Sequence, residues 1–337
     1  MIAALFKSIN EIEIENYPLR SLANNELLIK INCCGICGTD YHIYEGKALS
    51  SIPVIMGHEF SGTVADSNGF DSRFKVGDKV VIDPNIFCGY CDYCRRGEIN
   101  FCENHKALGV TLNGGFAEYS IVPSSQVYLL PKDFSFSAAA FVEPLSCCIR
   151  GMDQASIKQG ENLVILGSGT IGLLMVQLAK ISGAGKIIVI EPVAEKREIA
   201  YQLGADYVLD SDSPELLTRI NDLTSGGADV VIECVGKSTA ADMAIKVARR
   251  GGRIVLFGLA GKNDSINLNL QEFFLKELTM KGSLLNPFTF SRAINLLVNK
   301  KVQIEKLNPV QENLNSLERI LSQPRDLTVI KYQITPN

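Results

Sequence analysis

The 337-residue sequence lacks a long apolar run and an extended basic stretch. Its most apolar segment, LVILGSGTIGLLMVQLA, is interrupted by three glycines and two hydroxyl residues and falls short of the ~20 residues that a membrane span requires. Basic residues cluster only in pairs such as Arg95-Arg96, and the formal net charge is −4. A surface that follows a phosphate backbone is not expected. The sequence therefore predicts neither a membrane nor nucleic acid as a partner.

The sequence also lacks the pattern of a signal peptide. Its start, MIAALFKSINEIEIEN, has only a short apolar run, and acidic residues follow almost at once. This pattern predicts a cytoplasmic protein. In a reducing compartment, the ten cysteines are expected to be metal ligands or small buried apolar side chains rather than disulfide partners.

The texture of the sequence changes near its middle. Up to about Cys148, short runs alternate apolar and polar residues between turn residues, which is typical of an irregular antiparallel β domain. From about Gly160, nearly continuous apolar strands are separated by helix-length segments, which indicates a doubly wound parallel sheet with helices on both faces. The length of the chain also favours two domains. Periodicity alone does not decide which domain is extended by the last predicted helix, FTFSRAINLLVNKK, and the last predicted strand, LTVIKYQITP.

A glycine-rich turn follows the first of these buried strands. In NLVILGSGTIGLL, Gly167, Gly169 and Gly172 form G-x-G-x-x-G after a strand and at the head of a helix. The first glycine permits a tight turn, the second lets the backbone approach a pyrophosphate, and the third lets the helix pack on the strand. We predict a dinucleotide site that includes Thr170 and Ile171 at the helix head. The alternative is a glycine-rich turn that binds no cofactor.

An acidic residue at the end of the next strand bears on the choice of cofactor. Glu191 ends KIIVIE, where a carboxylate can accept hydrogen bonds from the adenosine ribose hydroxyls and would repel a 2′-phosphate. Lys196 and Arg197 lie one helical turn further and partly compensate this charge, and Lys196 is placed in the predicted site. NAD is therefore predicted, with NADP as the less favoured alternative.

Four cysteines lie within CGYCDYCRRGEINFC. Their C-x2-C-x2-C-x7-C spacing predicts a closed tetrahedral shell for a structural zinc, made by Cys88, Cys91, Cys94 and Cys102. An iron–sulfur cluster is the competing metal, and an unmetallated loop is the remaining alternative. His105 follows the four cysteines and is interpreted as a surface histidine, although it could replace one thiolate.

Histidine is scarce, which narrows the candidates for a second metal site. The sequence has three: His42, His58 and His105. CCGICGTDYH supplies Cys37, MGHEFSG supplies His58 with Glu59 beside it, and FVEPLSCC supplies Glu143. One thiolate, one imidazole and one carboxylate leave a fourth zinc position open for water or a substrate oxygen. Spacing alone does not establish that these side chains converge, and Cys37 also fits a packing role.

The segments C-G-T-D-x-H, G-H-E, the four cysteines, E-P-L-S and G-x-G-x-x-G, in this order, resemble the zinc-dependent medium-chain dehydrogenase/reductase family over nearly the whole chain. Glu143 within E-P-L-S is most similar to the polyol, sorbitol-type branch. The resemblance implies a GroES-like irregular β catalytic domain at 1–148, a Rossmann NAD-binding domain at 149–286, and a return to the catalytic domain at 287–337. A homodimer or homotetramer is also implied.

The resemblance implies two zinc ions per chain, one structural and one catalytic. Cys37, His58 and Glu143 are expected to hold the catalytic zinc, with Glu59 as an occasional or water-mediated ligand. An alcohol bound there would lose its proton readily and pass hydride to the nicotinamide. Thr39 and His42 match the family's proton relay, because a hydroxyl and an imidazole can pass the proton to solvent. A histidine that only caps a loop is the alternative for His42.

The substrate is expected to be a polyol or related small alcohol whose secondary hydroxyl becomes a ketone. The family's polyol-binding Arg-Tyr pair is replaced by Leu285 and Asn286 in KGSLLNPFTF, which keeps other substrates open. L-threonine 3-dehydrogenase and 2,3-butanediol dehydrogenase activities are the alternatives, and a non-catalytic NAD-binding protein is the alternative of another class. Tyr44 and Phe288 are candidates for the pocket wall or for ordinary core and rim positions.

Overall fold

The structure, a computed structural model, describes residues 1–69 and 71–336. Within these residues, no helix has both the length and the apolar character needed to cross a membrane. The chain divides into two compact units. The first comprises Met1–Pro144, Phe290–Asn299 and Pro309–Asn337, and the second comprises Leu145–Thr289 and Lys300–Asn308. The second unit is therefore inserted into the sequence of the first.

The first part of the chain consists mostly of short strands, and strands and helices alternate in the later part. The strands are β1 (Ile2–Ser8), β2 (Glu11–Asn16), β3 (Glu26–Gly35), β4 (Val54–Ile55), β5 (Glu59–Asp66), β6 (Lys79–Ile82), β7 (Asn85–Ile86), β8 (Lys106–Ala107), β9 (Tyr119–Pro123), β10 (Val127–Leu129), β11 (Leu163–Leu166), β12 (Ile187–Ile190), β13 (Tyr207–Leu209), β14 (Ala228–Glu233), β15 (Ala248–Leu256), β16 (Thr279–Gly282), β17 (Val310–Asn313) and β18 (Tyr332–Thr335). The helices are α1 (Gly38–Tyr44), α2 (Asp92–Arg95), α3 (Phe136–Ala139), α4 (Val142–Ala155), α5 (Thr170–Ile181), α6 (Ala194–Gln202), α7 (Leu216–Thr224), α8 (Ser238–Val247), α9 (Leu270–Lys276), α10 (Phe290–Val298) and α11 (Leu317–Ser322).

The first unit is built on a mixed sheet with strand order β10-β6-β5-β3-β18-β17, and β9 also pairs with β3. Two smaller sheets, β2-β1-β4 and β7-β8, accompany it. Strand β3 alternates buried and more exposed residues, and its side chains Leu27, Ile29 and Ile31 enter a core shared with β1, β5 and α11. Alternation of this kind is expected where one face of an antiparallel sheet is covered.

Strand register in this sheet brings together the segments that carry the predicted catalytic residues. Gly35 at the end of β3 pairs with Glu59 at the start of β5 and, on its other side, with Gln333 of β18. Strand ends that meet in this way place the adjoining loop residues side by side. The residues just beyond β3, just before β5 and just before β18 therefore share one edge of the sheet.

The second unit contains a six-stranded parallel sheet with the order β13-β12-β11-β14-β15-β16. The residues of the central strand β11 are buried along its whole length, as expected for a strand covered on both faces. The order reverses between β11 and β14, and in open parallel sheets ligands bind beyond the carboxyl ends of the strands at such a switch point. The glycine-rich turn lies at the carboxyl end of β11.

Candidate functional site

The structure brings Cys37, His58 and Glu59 together. One ligand atom from each residue lies within 4.8 Å of the others, and we call these three residues the Cys37 group. Cys37 follows β3 and directly precedes α1, while His58 and Glu59 lie at the start of β5. In the described part of the chain, Glu143 does not join this group at that separation; it lies buried in the first turn of α4.

A buried carboxylate orients the residues of the Cys37 group. Asp40 is fully buried, and its Oδ2 accepts a hydrogen bond of 2.7 Å from the Cys37 amide. Its Oδ1 lies 3.6 Å from Nδ1 of His58. A carboxylate beside the ring of a ligating histidine fixes the ring orientation and raises its basicity as a ligand. Asp40 therefore holds the Cys37 backbone and lies beside the His58 ring.

The electrostatics of the Cys37 group fit a bound cation. Burial lowers the pKa of His58, but the charges of Asp40 and Cys37 outweigh it, so this pKa lies well above its usual range. Sulfur, imidazole nitrogen and carboxylate oxygen are the donors that zinc takes in proteins. An environment that favours a positive imidazole also favours a metal cation among these donors, so the residues present fit a zinc ion.

Lys331 lies next to Glu59 and forms an ion pair with its Oε2. The two side chains are only 5% and 1% exposed. Burial lowers the pKa of Lys331, and the Glu59 carboxylate more than offsets this and raises it. Gly35 makes room for the pair, because a Cβ there would overlap the Glu59 carboxylate. A buried cation next to the Cys37 group therefore balances the charge of the Glu59 carboxylate.

The four cysteines of CGYCDYCRRGEINFC form a second group, which we call the lobe. The sulfurs of Cys88, Cys91, Cys94 and Cys102 lie within 4.8 Å of one another. The Cys91 amide points at Cys88 Sγ at 3.4 Å, and the Cys88 amide points at Cys102 Sγ at 3.3 Å. Four sulfurs at this separation fit a closed tetrahedral zinc shell. His105 is not in this set; its Nε2 lies 3.1 Å from Asn85 Oδ1.

Backbone amides lower the pKa of two lobe thiols, Cys88 and Cys91, whereas desolvation raises the pKa of Cys94. Desolvation raises the pKa of Cys88, but hydrogen bonds from the Tyr90 and Cys91 amides outweigh it and bring the pKa to about 6. A thiolate is the form that binds metal. The loop geometry thus favours the ligand form of this cysteine near neutral pH.

The glycine-rich turn has the geometry that the sequence predicts for a dinucleotide site. Gly167 has a φ of +89°, a conformation that favours glycine, and Gly169 is the N-cap of α5. A Cβ at Gly172 would overlap the carbonyl oxygen of Gly167. Thr170 and Ile171 open α5. The turn, the close backbone approach and the helix N-terminus together can receive a pyrophosphate.

Glu191 lies buried beside this turn. Its Oε2 accepts a 2.7 Å hydrogen bond from the Ser168 amide, and its Oε1 accepts one of 3.1 Å from the Val193 amide. Lys196 is buried in α6. Arg197 donates to the Glu191 carbonyl at 2.7 Å and pairs with Asp210. The carboxylate therefore faces the glycine-rich turn, whereas the arginine is engaged with the backbone and another acid.

Comparison with known proteins assigns both units. Residues 23–132 match the alcohol dehydrogenase GroES-like domain, and residues 170–299 match the zinc-binding dehydrogenase family. The chain is 30% identical to D-arabinitol dehydrogenase 1 of Uromyces fabae over 341 residues, which covers 100% of this chain and 97% of that protein. The chain belongs to the zinc-dependent medium-chain dehydrogenase/reductase family. This assignment confirms the family and its polyol branch, as the sequence predicted.

Two further similarities bear on this dehydrogenase. It is 39% identical to L-threonine 3-dehydrogenase of Pyrococcus abyssi over 262 residues, which covers 76% of this chain and 75% of that one. The structure of a zinc-binding dehydrogenase from Sinorhizobium meliloti 1021 bound to NADP superimposes with a TM-score of 0.96 at 34% identity, and covers 99% of both chains. The predicted fold class, a GroES-like β domain with a Rossmann domain, is confirmed. The protein is a zinc-dependent oxidoreductase that oxidises an alcohol with a nicotinamide cofactor.

The predicted relay residues both lie on α1 of this dehydrogenase. Thr39 Oγ1 lies 3.7 Å from Cys37 Sγ. His42 is half-buried in the last turn of the helix. Burial lowers the pKa of His42, and the nearby Arg325 lowers it further. The His42 imidazole therefore stays neutral down to a lower pH than the imidazole of a free histidine does.

The sequence analysis missed two residues that lie against the Cys37 group, Asp40 and Lys331, and left Tyr44 open between a pocket wall and the core. Asp40 stands inside the motif CGTDYH, so its position in the first turn after a ligand was a usable signal. Lys331 gave no local signal, because only the pairing of β18 with β3 brings it to Glu59. Tyr44 is buried in the core of the first unit, and its hydroxyl donates to the Asn10 carbonyl at 3.0 Å.

Proposed function

We propose that this dehydrogenase oxidises a secondary hydroxyl of a polyol or closely related small alcohol to a ketone, with NAD as the hydride acceptor. The observation that carries the proposal is the Cys37 group, a largely buried set of sulfur, nitrogen and oxygen donors directly before the helix that carries Thr39 and His42. Similarity along the whole chain to an arabinitol dehydrogenase supports the substrate class. Two zinc ions per chain are proposed, one in the lobe and one in the Cys37 group.

Cys37 and His58 would hold the catalytic zinc, with Glu143 as the third ligand and Glu59 as an alternative carboxylate. When bound, zinc supplies a Lewis acid that favours loss of the alcohol proton. The support for Glu143 is its place in the E-P-L-S segment, which resembles the sorbitol-type pattern, because the structure does not bring it into the Cys37 group. Glu59 is already neutralised by Lys331, which supports a secondary role for that carboxylate.

Thr39 and His42 would carry the alcohol proton to solvent. Thr39 lies beside the Cys37 sulfur, and His42 lies one helical turn further along α1 toward a more exposed position. A general base works best when it is neutral at the working pH and its pKa is close to that pH. The lowered pKa of His42 keeps it able to accept a proton near neutrality.

NAD is proposed over NADP because of the charge at Glu191. Its buried carboxylate faces the glycine-rich turn, where it would accept hydrogen bonds from the ribose hydroxyls and repel a 2′-phosphate. The NADP bound in the Sinorhizobium meliloti structure belongs to that protein and makes NADP the alternative to test. Initial rates with NAD and NADP at equal concentration decide between them, and a higher kcat/KM with NADP would contradict the proposal.

The segment that carries Leu285 and Asn286 differs from the sorbitol-type pattern, which bears on the substrate class. Asn286 is 3% exposed, and its Nδ2 donates to Ser146 Oγ at 2.8 Å. Leu285 has a φ of +57°, and Phe288 has a φ of +59° and is 67% exposed. Asn286 thus braces the loop, while Leu285 replaces a cationic side chain with an apolar one. A substrate without a phosphate or carboxylate beside this position is favoured.

L-threonine is the second candidate substrate, because the 39% identity to the Pyrococcus abyssi enzyme exceeds the identity to the polyol relative. A panel of arabinitol, sorbitol, xylitol, 2,3-butanediol and L-threonine, followed by NADH absorbance, separates the two. The polyol proposal expects the highest kcat/KM with a polyol. A preference for L-threonine of tenfold or more would replace it.

A homodimer or homotetramer is proposed through the free edge of the second unit's sheet. Strand β16 is the terminal strand of that sheet. Helix α9 presents exposed apolar side chains nearby: Leu270, Phe274 and Leu275. An unpaired edge with exposed apolar residues is suited to pairing with a second copy. Light scattering after size exclusion measures the mass directly. The cytoplasmic location stays a prediction.

A further inference from the structure

Arg325 links the C-terminal part of the first unit to the helix of the proton relay. It lies in the connection between α11 and β18. Its guanidinium carbon is 4.2 Å from the centroid of the Tyr41 ring, and its Nη2 points at the Gly38 carbonyl oxygen at 3.4 Å. Stacking of a guanidinium on an aromatic face is favourable. One exposed side chain therefore contacts both the first turn and the middle of α1.

Three charged groups lie near enough to His42 to shift its pKa. Arg325 acts from the connection between α11 and β18, and Glu45 and Lys47 act from the turn after α1. Lys47 is 2.7 Å from Glu45, so these two charges largely cancel at the imidazole. In the described part of the chain, the ion pairs include none formed by Arg325. Arg325 is therefore the nearby cation whose charge is not offset.

We propose that Arg325 is a positioning residue for the proton relay: through Tyr41 and the Gly38 carbonyl, its guanidinium braces the helix that carries Thr39 and His42. The inference rests on the proposed function, in which His42 passes the alcohol proton to solvent. Arg325 contacts neither the Cys37 group nor the lobe through any described hydrogen bond or ion pair. Its effect on the reaction is thus exerted through α1.

The direction of the effect follows from the charges. Burial lowers the pKa of His42, and the positive charge of Arg325 adds to this. Removing that charge leaves burial in place and lets the pKa of His42 rise. The imidazole then stays protonated up to a higher pH. As the pH is lowered, the rate of alcohol oxidation therefore begins to fall at a higher pH than in the parent enzyme. Because Arg325 is exposed, salt should weaken the effect.

The test compares Arg325→Gln, Arg325→Lys and the matched control Arg319→Gln. Arg319 lies on α11 and pairs with Glu312 at 3.0 Å, but it is not among the charges that shift the pKa of His42. The pKa of His42 is measured from the pH dependence of hydrogen exchange at its ring carbon by mass spectrometry. With three histidines in the chain, the peptide that contains His42 is unambiguous.

Arg325→Gln is expected to raise the pKa of His42 by about half a unit at low salt, because one exposed charge is partly screened by water. The low-pH limb of kcat/KM should move upward by the same amount. Arg325→Lys should restore most of both shifts, and Arg319→Gln should show neither. The difference between Arg325→Gln and the parent should shrink in 0.5 M salt, a concentration chosen to shorten the screening length to roughly 4 Å.

Three outcomes overturn the inference, and the measurements distinguish them. An unchanged pKa of His42 in Arg325→Gln overturns the role of Arg325 and leaves the proposed relay standing. A raised pKa with an unmoved rate profile shows that His42 does not carry the proton, which overturns the relay and the inference with it. If Arg325→Gln changes only the KM for NAD, with the pKa of His42 unmoved, Arg325 is a cofactor contact instead. Thermal melting confirms that each variant is folded.

Discussion

The lobe takes its four sulfurs from one short stretch of chain, Cys88 to Cys102, whereas the Cys37 group takes its donors from segments that strand pairing brings together. The lobe uses backbone amides as partners for its sulfurs. The Cys37 group uses buried charged side chains, Asp40 and Lys331. A closed set of identical donors suits a structural ion, and a mixed set held by charges suits a reactive one.

Glu143→Ala gives the largest expected effect on this comparison, because it removes a proposed ligand of the catalytic zinc. We expect kcat to fall by about 10⁴-fold, which corresponds to about 5 kcal/mol of lost transition-state stabilisation. The circular dichroism spectrum should be retained, and the zinc content should fall from two ions to one. Glu59→Ala, measured in parallel, should lose less activity. Two zinc ions and full turnover in Glu143→Ala would remove it from the ligand set.

Lys331→Met tests whether the buried cation stabilises the Cys37 group. It leaves the Glu59 carboxylate buried without its partner, and the loss of one member of a buried ion pair typically costs about 3–4 kcal/mol. Urea unfolding measures the loss. The double variant Lys331→Met/Glu59→Gln should recover part of it. Lys47→Met, which breaks the exposed pair with Glu45, should change stability by less than about 1 kcal/mol. Equal losses in the two lysine variants would contradict the role of burial.

Cys91→Ser probes the lobe alone. Loss of one thiolate weakens the structural ion, whose binding free energy stabilises the fold. We expect a loss of about 2–3 kcal/mol and a fall in melting temperature of roughly 5–10 °C. Folded enzyme should keep most of its kcat. Asp92→Asn, in the same loop, serves as the control and should have the melting temperature of the parent enzyme. If Cys91→Ser and Glu143→Ala lost folding equally, the division between a structural and a reactive group would be wrong.

His42→Gln has the smallest expected effect, because solvent can replace part of the relay. We expect kcat/KM at neutral pH to fall about tenfold, or about 1.4 kcal/mol. In the parent enzyme, the oxidation rate should fall as the pH drops through the pKa of His42, which lies below the ordinary value of 6.5. That limb should vanish in His42→Gln and persist in His105→Gln. A limb that persists in both variants would assign the titration to another group.

Local patterns in the sequence carried most of the fold and part of the site. Buried runs such as those of β11 and β12 specified a parallel sheet, because strands covered on both faces need apolar residues at every position. The turn at Gly167 was predictable for a similar reason, since backbone geometry there depends on a few adjacent residues. The spacing of the four cysteines was equally local.

The residues that were missed depend on contacts between distant parts of the chain. Lys331 and Glu59 meet because β18 and β5 flank β3, and no spacing within either segment encodes that register. Arg325 reaches α1 for the same reason. Asp40 differs, because it lies within one turn of Cys37 and follows from helix geometry once the ligand is known. Local motifs thus indicate metal donors, whereas the side chains that balance their charge require the tertiary structure.

The insertion of the second unit into the first sets the order in which a nascent chain can assemble the enzyme. The ribosome makes Cys37, His58 and Glu59 early, then the whole nucleotide-binding sheet, and only afterwards the strand that delivers Lys331. Until that strand emerges, Glu59 has no counter-charge from Lys331, and the carboxyl end of β3 lacks its pairing with β18. The first unit therefore cannot complete its sheet until the later half of the chain has been translated. A chain that ended before β18 would therefore contain the parallel sheet of the second unit but lack the lysine that neutralises Glu59.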